Sequence, residues 1–236
     1  MINEERVKGL GEFVGKTIGK KGLELLDRRV GTFKIQTNGL ENLELITRKP
    51  CLIVSNHLKP EEEKAQSSGL SPDALIISRI IHQATGEKIK IIHKSDNGWW
   101  SESSVGRYFQ EKFGQPFGRG LSEGMGNVPV QKNPGSSNRE FLKSVARSVS
   151  ENKSLLLFPE GNWYADFDPS HKIEPGAAHL AKANNLKIIP IYINGATSWK
   201  EGTEVKIFIG DPKDITGLSK EEITEFIRNS IADLQA

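Results

Sequence analysis

Apolar residues recur along this chain with two alternating periods. The segment 4–29 places Val7, Leu10, Val14 and Ile18 three or four residues apart, which predicts an amphipathic helix with lysines between the apolar positions. Short apolar runs typical of buried strands follow at 30–36, 50–55, 88–93, 128–131, 154–158, 187–194 and 205–210. Helical periodicity recurs at 72–85, 103–113, 136–152, 175–184 and in a last helix that Ser219 and Glu222 begin as a capping box.

Strands that alternate with helices of this length predict an α/β fold, with a mixed, largely parallel sheet flanked by helices. Pro190 interrupts the apolar run 187–194, and a proline inside a strand predicts a sheet edge or a bulge. The length of 236 residues suits one α/β domain, which we place at 30–236, preceded by the N-terminal amphipathic helix at 1–29.

Two segments leave alternatives open. The helix at 4–29 either packs on the domain or lies in a membrane interface with its lysines towards lipid phosphates. The irregular stretch 99–126 is rich in glycine and aromatic residues, which either line a pocket for an apolar ligand or fill a satellite core.

Composition excludes several classes of protein. A net charge of +2 does not indicate a nucleic-acid partner. No apolar run approaches the roughly 18 residues of a bilayer-spanning helix, and the acidic start of the chain is not typical of a signal peptide. The single cysteine, Cys51, cannot form an internal disulfide, and it lies in an apolar run where we expect it to pack in the core. We therefore expect a cytoplasmic protein that is soluble or peripherally bound to a membrane.

The clearest candidate for catalysis is His57, which follows the predicted strand 50–55 in the run Val54-Ser55-Asn56-His57. Parallel sheets bind ligands at the carboxyl ends of their strands. A neutral imidazole there can take a proton from a hydroxyl, provided that a carboxylate orients it. Glu62 and Asp73 compete for the role of that carboxylate.

A second group of motifs follows later in the chain. Phe158-Pro159-Glu160-Gly161 comes directly after a buried strand, Gly176-Ala177-Ala178 opens a helix, and Ile189-Pro190-Ile191 lies in a strand. Together with Asn56-His57, in this order, these motifs resemble the glycerolipid acyltransferase family of the lysophosphatidic acid acyltransferase type. The resemblance implies a glycerol-3-phosphate acyltransferase-like α/β fold, a His-Asp dyad, attachment to a membrane surface and a place in phospholipid biosynthesis. It also implies acyl-CoA or acyl-carrier protein as co-substrate, and we expect no cofactor.

The chain departs from the family pattern in two places. The pattern has an Asp five positions after the His, where this chain has Glu62. The run Ser71-Pro72-Asp73 looks like the displaced continuation, after an insertion of about eleven residues, so we favour Asp73 as the partner of His57. After Gly161 the family has a small residue and then a basic one, whereas this chain has Asn162-Trp163-Tyr164. Lys132 is the remaining candidate for contact with a phosphate.

These observations predict an O-acyltransferase that moves a fatty-acyl group from a thioester to a lysophospholipid or glycerol-phosphate-type hydroxyl. His57 and Asp73 are the expected catalytic residues, and Asn56, Lys132, Glu160 and Gly161 are the expected substrate contacts. No spacing of histidines, cysteines or carboxylates predicts a metal site. Two alternatives remain: an acyl-thioester hydrolase, and a non-catalytic protein that binds lipid or acyl groups.

Overall fold

The computed structural model describes residues 4–62, 71–94, 127–130 and 136–236. Five α-helices lie in this part of the chain: α1 (Glu4–Val30), α2 (Pro72–Thr85), α3 (Ser136–Ser150), α4 (Gly176–Ala183) and α5 (Lys220–Gln235). A 3₁₀ helix spans Leu40–Thr47. The strands are β1 (Lys34–Asn38), β2 (Cys51–Ser55), β3 (Lys90–Lys94), β4 (Val128–Val130), β5 (Leu155–Leu157), β6 (Lys187–Asn194) and β7 (Glu204–Ile209).

The strands form one sheet in the order β1-β7-β6-β2-β5-β3-β4. Every neighbouring pair is parallel except β6 with β7. This arrangement confirms the predicted mixed, largely parallel α/β fold. Strand β2 lies between β6 and β5, and all five of its residues are buried because helices cover both faces of the sheet.

A separate apolar core packs on each face of the sheet. One contains Cys51 and Ile53 of β2, together with the 3₁₀ helix and α2. The other contains Leu52 and Val54, together with α3, α4 and α5. Cys51 is fully buried, as expected, and burial raises the pKa of its thiol to about 11. The alternation along β2 therefore supplies both cores from one strand.

Most predicted elements agree with the structure to within one to three residues. The exception is the first strand, predicted at 30–36, which begins only at Lys34 because α1 continues to Val30. The 3₁₀ helix was not predicted. It begins after Gly39, whose φ of 78° favours glycine and where a Cβ would lie 2.1 Å from the carbonyl oxygen of Ile209. The predicted helix 103–113 lies outside the described residues.

The proline in β6 lies at a bulge and not at a sheet edge, since β6 has a partner on each side. The amide of Gly210 donates to the carbonyl oxygen of Pro190, and Ile188 exchanges two hydrogen bonds with Lys213. Between these two pairings β6 advances by two residues, from 188 to 190, while the segment after β7 advances by three, from 210 to 213. The irregular pairing there accommodates a residue that has no N–H to donate.

The C-terminal end of α1 contacts α2. The guanidinium of Arg79 donates to the side chain of Asp27 at 2.6 Å and to its carbonyl oxygen at 2.9 Å, and Val30 is buried. Phe13 and Leu25, in contrast, are 69% and 66% exposed. Within the described ranges, no helix is both long enough and apolar enough to cross a membrane.

Candidate active site

His57 and Asp73 meet at the carboxyl end of β2. His57 follows that strand by two residues, and Asp73 lies in the first turn of α2 after Pro72. The His57 Nδ1 atom lies 2.8 Å from Asp73 Oδ2, although sixteen positions separate the two residues. Asp73 is completely buried, while the side chain of His57 is 20% exposed. The pair has the geometry of a general base with its orienting carboxylate.

Three hydrogen bonds hold the Asp73 carboxylate in place. Its Oδ2 atom accepts from the backbone amide of Leu58 at 2.9 Å as well as from His57, and its Oδ1 atom accepts from the amide of Ala74 at 2.6 Å. A carboxylate that accepts only from N–H groups favours the His57 tautomer that carries its proton on Nδ1. The lone pair on Nε2 is then the one that can accept a proton.

Trp163 contacts that second nitrogen. The indole Nε1–H donates to His57 Nε2 at 2.5 Å, which is consistent with the same tautomer because only an unprotonated Nε2 accepts. The two rings lie edge to face with centroids 5.7 Å apart, and Phe158 stacks on His57 with centroids 4.0 Å apart. Aromatic groups therefore surround the imidazole and leave little of it open to water.

The segments that follow β2 and β5 continue side by side beyond the sheet. Leu58 and Tyr164 form a parallel bridge. The amide of Tyr164 donates to the carbonyl oxygen of His57 at 3.0 Å, and the amide of Lys59 donates to that of Tyr164 at 2.8 Å. These bonds bring the residues after Gly161 beside the histidine.

Glu160 supports the backbone of His57. It is 2% exposed, and its Oε2 atom accepts from the amide of His57 at 2.7 Å. Burial raises the pKa of this carboxyl group, although the hydrogen bonds from His57 and His171 act in the opposite direction. Gly161, which follows it, has a φ of 67°.

His171 completes this network and was not predicted to belong to the site. Its Nδ1 atom lies 3.3 Å from Glu160 Oε1, and its ring stacks on Tyr164 with centroids 3.7 Å apart. The only signal in the sequence is that His171 falls in the stretch between the Phe-Pro-Glu-Gly motif and α4. Trp163 was singled out only because it stands where the family pattern has a basic residue, and its contact with His57 was not predicted.

The alternative carboxylate, Glu62, points elsewhere. Its Oε1 atom accepts from the Ser198 hydroxyl at 2.6 Å and from the amide of Trp199 at 3.0 Å. Burial would raise the pKa of Glu62, but these hydrogen bonds outweigh it and the pKa is lowered. Of the two carboxylates that competed for His57, the structure brings Asp73 to it and ties Glu62 to the loop after β6.

Asn56 is fully buried, and its side chain bridges β2 to β6. Its Nδ2 atom donates to the carbonyl oxygen of Ile193 at 2.9 Å, and its Oδ1 atom accepts from the amide of Ile193 at 2.8 Å. This geometry favours a positioning role beside the histidine, and substrate contact by Asn56 stays a prediction. Lys132 lies outside the described residues.

Within the part of the chain that the structure describes, no cluster of histidine, cysteine and carboxylate side chains could hold a metal ion. The contact with Asp73 gives the site the chemistry of an oriented imidazole. Such a group can remove a proton from a hydroxyl at neutral pH.

Comparison with known proteins identifies the family. A crystal structure of the 1-acyl-sn-glycerophosphate (LPA) acyltransferase PlsC from Thermotoga maritima matches with a TM-score of 0.53 and 14% identity, over 100% of this chain and 83% of that chain. At this identity the match shows the fold alone. No curated protein matches the chain. The Acyltransferase family model matches residues 34–194, which include His57, Asp73 and the Phe-Pro-Glu-Gly motif. Since this match spans more than half of the chain, the protein belongs to the Acyltransferase family.

Proposed function

We propose that this acyltransferase moves a fatty-acyl group from a thioester to the hydroxyl of a lysophospholipid or glycerol-phosphate-type acceptor, in phospholipid biosynthesis. The observation that carries the proposal is the contact between His57 and the buried Asp73 at the carboxyl edge of the sheet. The relative from Thermotoga maritima is named for a 1-acyl-sn-glycerophosphate acceptor, which supports an acceptor of this class.

In the proposed reaction, His57 Nε2 takes the proton of the acceptor hydroxyl. The acceptor oxygen attacks the thioester carbonyl carbon, the new C–O ester bond forms, and the C–S bond breaks. The thiolate that leaves takes the proton back from Nε2, so the imidazole is neutral again after each turnover. Asp73 stabilises the imidazolium that exists in between. No acyl-enzyme is required, because the base acts on the acceptor itself.

The amides of His57, Leu58 and Gly161 are not the donors that stabilise the oxyanion in this proposal, because each already has a partner. They donate to Glu160, Asp73 and the carbonyl oxygen of Phe158, respectively. Glu160 supports the backbone that carries the base, and the exposed turn at Gly161 offers space for the acceptor. Lys132 is the proposed contact to its phosphate.

The acyl donor in this proposal is acyl-CoA or an acyl-carrier protein, used as co-substrate with no resident cofactor. The protein works at the cytoplasmic surface of a membrane, where lysophospholipid acceptors are found. The exposed Phe13 and Leu25 of α1 support peripheral contact with lipid.

Product analysis tests the proposal. The wild type is incubated with acyl-CoA and lysophosphatidate, and the products are identified by mass spectrometry. We expect a diacyl product and free CoA, and we expect His57→Ala to reduce kcat by on the order of 10³-fold or more, as removal of a general base does. Free fatty acid as the only product would support the hydrolase alternative. Binding of both ligands without turnover would support the non-catalytic one.

A further inference from the structure

Trp163 donates a hydrogen bond to His57 Nε2, the nitrogen that takes the proton in the proposed reaction. Asp73 engages Nδ1 of His57, so Nε2 carries the lone pair that accepts the proton, and the Trp163 indole N–H donates to this same atom. An acceptor hydroxyl can reach the base only after the indole has left. The contact is therefore part of the site before the acceptor binds.

The backbone on both sides of Trp163 is held in place. Tyr164 is hydrogen-bonded to His57 and to Lys59, and Glu160, three residues before Trp163, is bonded to the amide of His57. The segment cannot move away without breaking these bonds. Rotation about the side-chain bonds of Trp163 breaks only the indole contact, so the indole leaves by rotation. Trp163 is partly exposed, so its side chain is not enclosed in the core.

Water and the acceptor differ in what they gain by displacing the indole. A water molecule only replaces one hydrogen bond to Nε2 by another, and it brings no further contact that offsets the loss of the edge-to-face contact between the two rings. A lipid acceptor brings contacts made by its acyl chain and headgroup, and binding energy from such remote groups can drive the displacement. Transfer to the acceptor is therefore favoured over transfer to water.

We propose that Trp163 is a selectivity residue, which covers His57 Nε2 until the acceptor displaces it and so suppresses hydrolysis of the acyl donor. This inference rests on the proposed function. In the suppressed reaction, water gives a proton to Nε2 and its oxygen bonds to the thioester carbonyl carbon. The C–S bond breaks, and the thiolate takes the proton from Nε2. The products are a fatty acid and a free thiol.

The test compares Trp163→Phe with wild type. Phenylalanine keeps an aromatic ring but cannot donate to Nε2. Thiol release from acyl-CoA is measured without acceptor, and fatty acid and acylated lipid are measured with it. We expect acceptor-independent hydrolysis to rise roughly three- to tenfold, the factor that corresponds to one hydrogen bond between neutral groups. We also expect the KM for the acceptor to fall, while kcat for transfer changes less.

Two matched controls accompany the variant. Trp199→Phe makes the same substitution in the loop between β6 and β7, where the side chain packs against the core, and we expect its hydrolysis rate to equal that of wild type. Adding His57→Ala to Trp163→Phe should abolish the extra hydrolysis. If hydrolysis by Trp163→Phe stays at the wild-type rate, or if the extra hydrolysis persists without His57, the proposal is overturned.

A second measurement does not depend on activity. In a ¹H–¹⁵N spectrum the indole resonance of Trp163 is identified by its loss in Trp163→Phe. We expect it to move upfield in His57→Ala and in His57→Phe, while the Trp199 resonance stays in place. A Trp163 resonance that is unmoved in both variants would contradict the contact.

The results separate this inference from the proposed function. If wild type acylates the lipid through His57 but Trp163→Phe hydrolyses no faster, only the role of Trp163 fails. If wild type acylates no lipid, while Trp163→Phe hydrolyses the donor through His57 and the indole resonance shifts as expected, the acceptor assignment fails and the covering role stands.

Discussion

At the scale of single residues, the site depends on which groups hold the two nitrogens of His57. Asp73 engages one and Trp163 the other, and each contact requires the same tautomer. The amides of Leu58 and Ala74 also donate to Asp73, so a change at Asp73 alters three contacts. Glu62 takes no part in this network.

A pair of isosteric variants tests the assignment of the carboxylate. In Asp73→Asn the negative charge that stabilises the imidazolium is lost. The NH₂ group also lies either opposite the Ala74 amide or opposite both His57 Nδ1 and the Leu58 amide, so at least one hydrogen bond of the carboxylate is lost as well. We expect kcat to fall on the order of 10³–10⁴-fold. Glu62→Gln should keep wild-type kcat, because its amide oxygen still accepts from Ser198 and Trp199. Steady-state kinetics check both, and a large loss only in Glu62→Gln would reverse the assignment.

The contact between His57 and Asp73 could be predicted from the sequence, but the surroundings of the pair could not, and the roles of the two residues as base and orienting carboxylate stay predictions. His57 follows a buried strand, and Asp73 follows Ser71-Pro72 at a helix start, which are local signals. The contacts of Trp163 and His171 depend on β5 lying beside β2, which is a long-range property of the sheet. The true neighbours of Glu62 follow β6, and no local pattern links them to it.

At the scale of elements, helix and strand positions were largely predictable because hydrophobic periodicity is local. The order of the strands was not, since it depends on which surfaces pack together. Helix α1 contacts α2 through Asp27, and it exposes Phe13 and Leu25. Its packing on the domain and its proposed contact with lipid are therefore compatible.

Vesicle binding tests the role of α1. We expect Phe13→Glu with Leu25→Glu to weaken sedimentation with anionic vesicles by roughly tenfold or more, because two apolar side chains no longer enter the interface. Leu142→Glu is the matched control, since Leu142 is also exposed, at 43%, but lies on α3 and thus on the other face of the sheet. Equal weakening by the control variant would exclude α1 as the lipid-binding element.

At the scale of the whole molecule, buried polar groups link neighbouring segments of the chain at the carboxyl edge of the sheet. Asn56 bridges β2 to β6, and Glu160 bridges the segment after β5 to His57. A buried charge at Glu160 is tolerated because His57 and His171 donate to it, but its pKa is nevertheless raised. The site therefore influences the stability of the fold.

The pH dependence of unfolding tests this coupling. Since the pKa of Glu160 is higher in the folded than in the unfolded state, its protonation stabilises the fold at low pH, and this contribution is lost as pH rises through the folded pKa. The free energy of unfolding of Glu160→Gln should therefore increase relative to that of wild type as pH rises. Urea titrations between about pH 4 and 8 measure this difference. Glu174→Gln, an exposed glutamate of the same loop, is the control for loss of charge, and a difference that shrinks with rising pH would contradict the expectation.

The segment between His57 and Asp73 begins and ends at residues that are hydrogen-bonded to each other. The Ser71 hydroxyl donates to the carbonyl oxygen of Leu58 at 3.1 Å, beside the bond from Leu58 to Asp73. The contact between His57 and Asp73 is therefore supported by bonds at the two ends of the intervening segment. A sequence search that requires a fixed interval between the two would reject this chain, whereas one that treats the histidine and the helix start as separate landmarks would accept it.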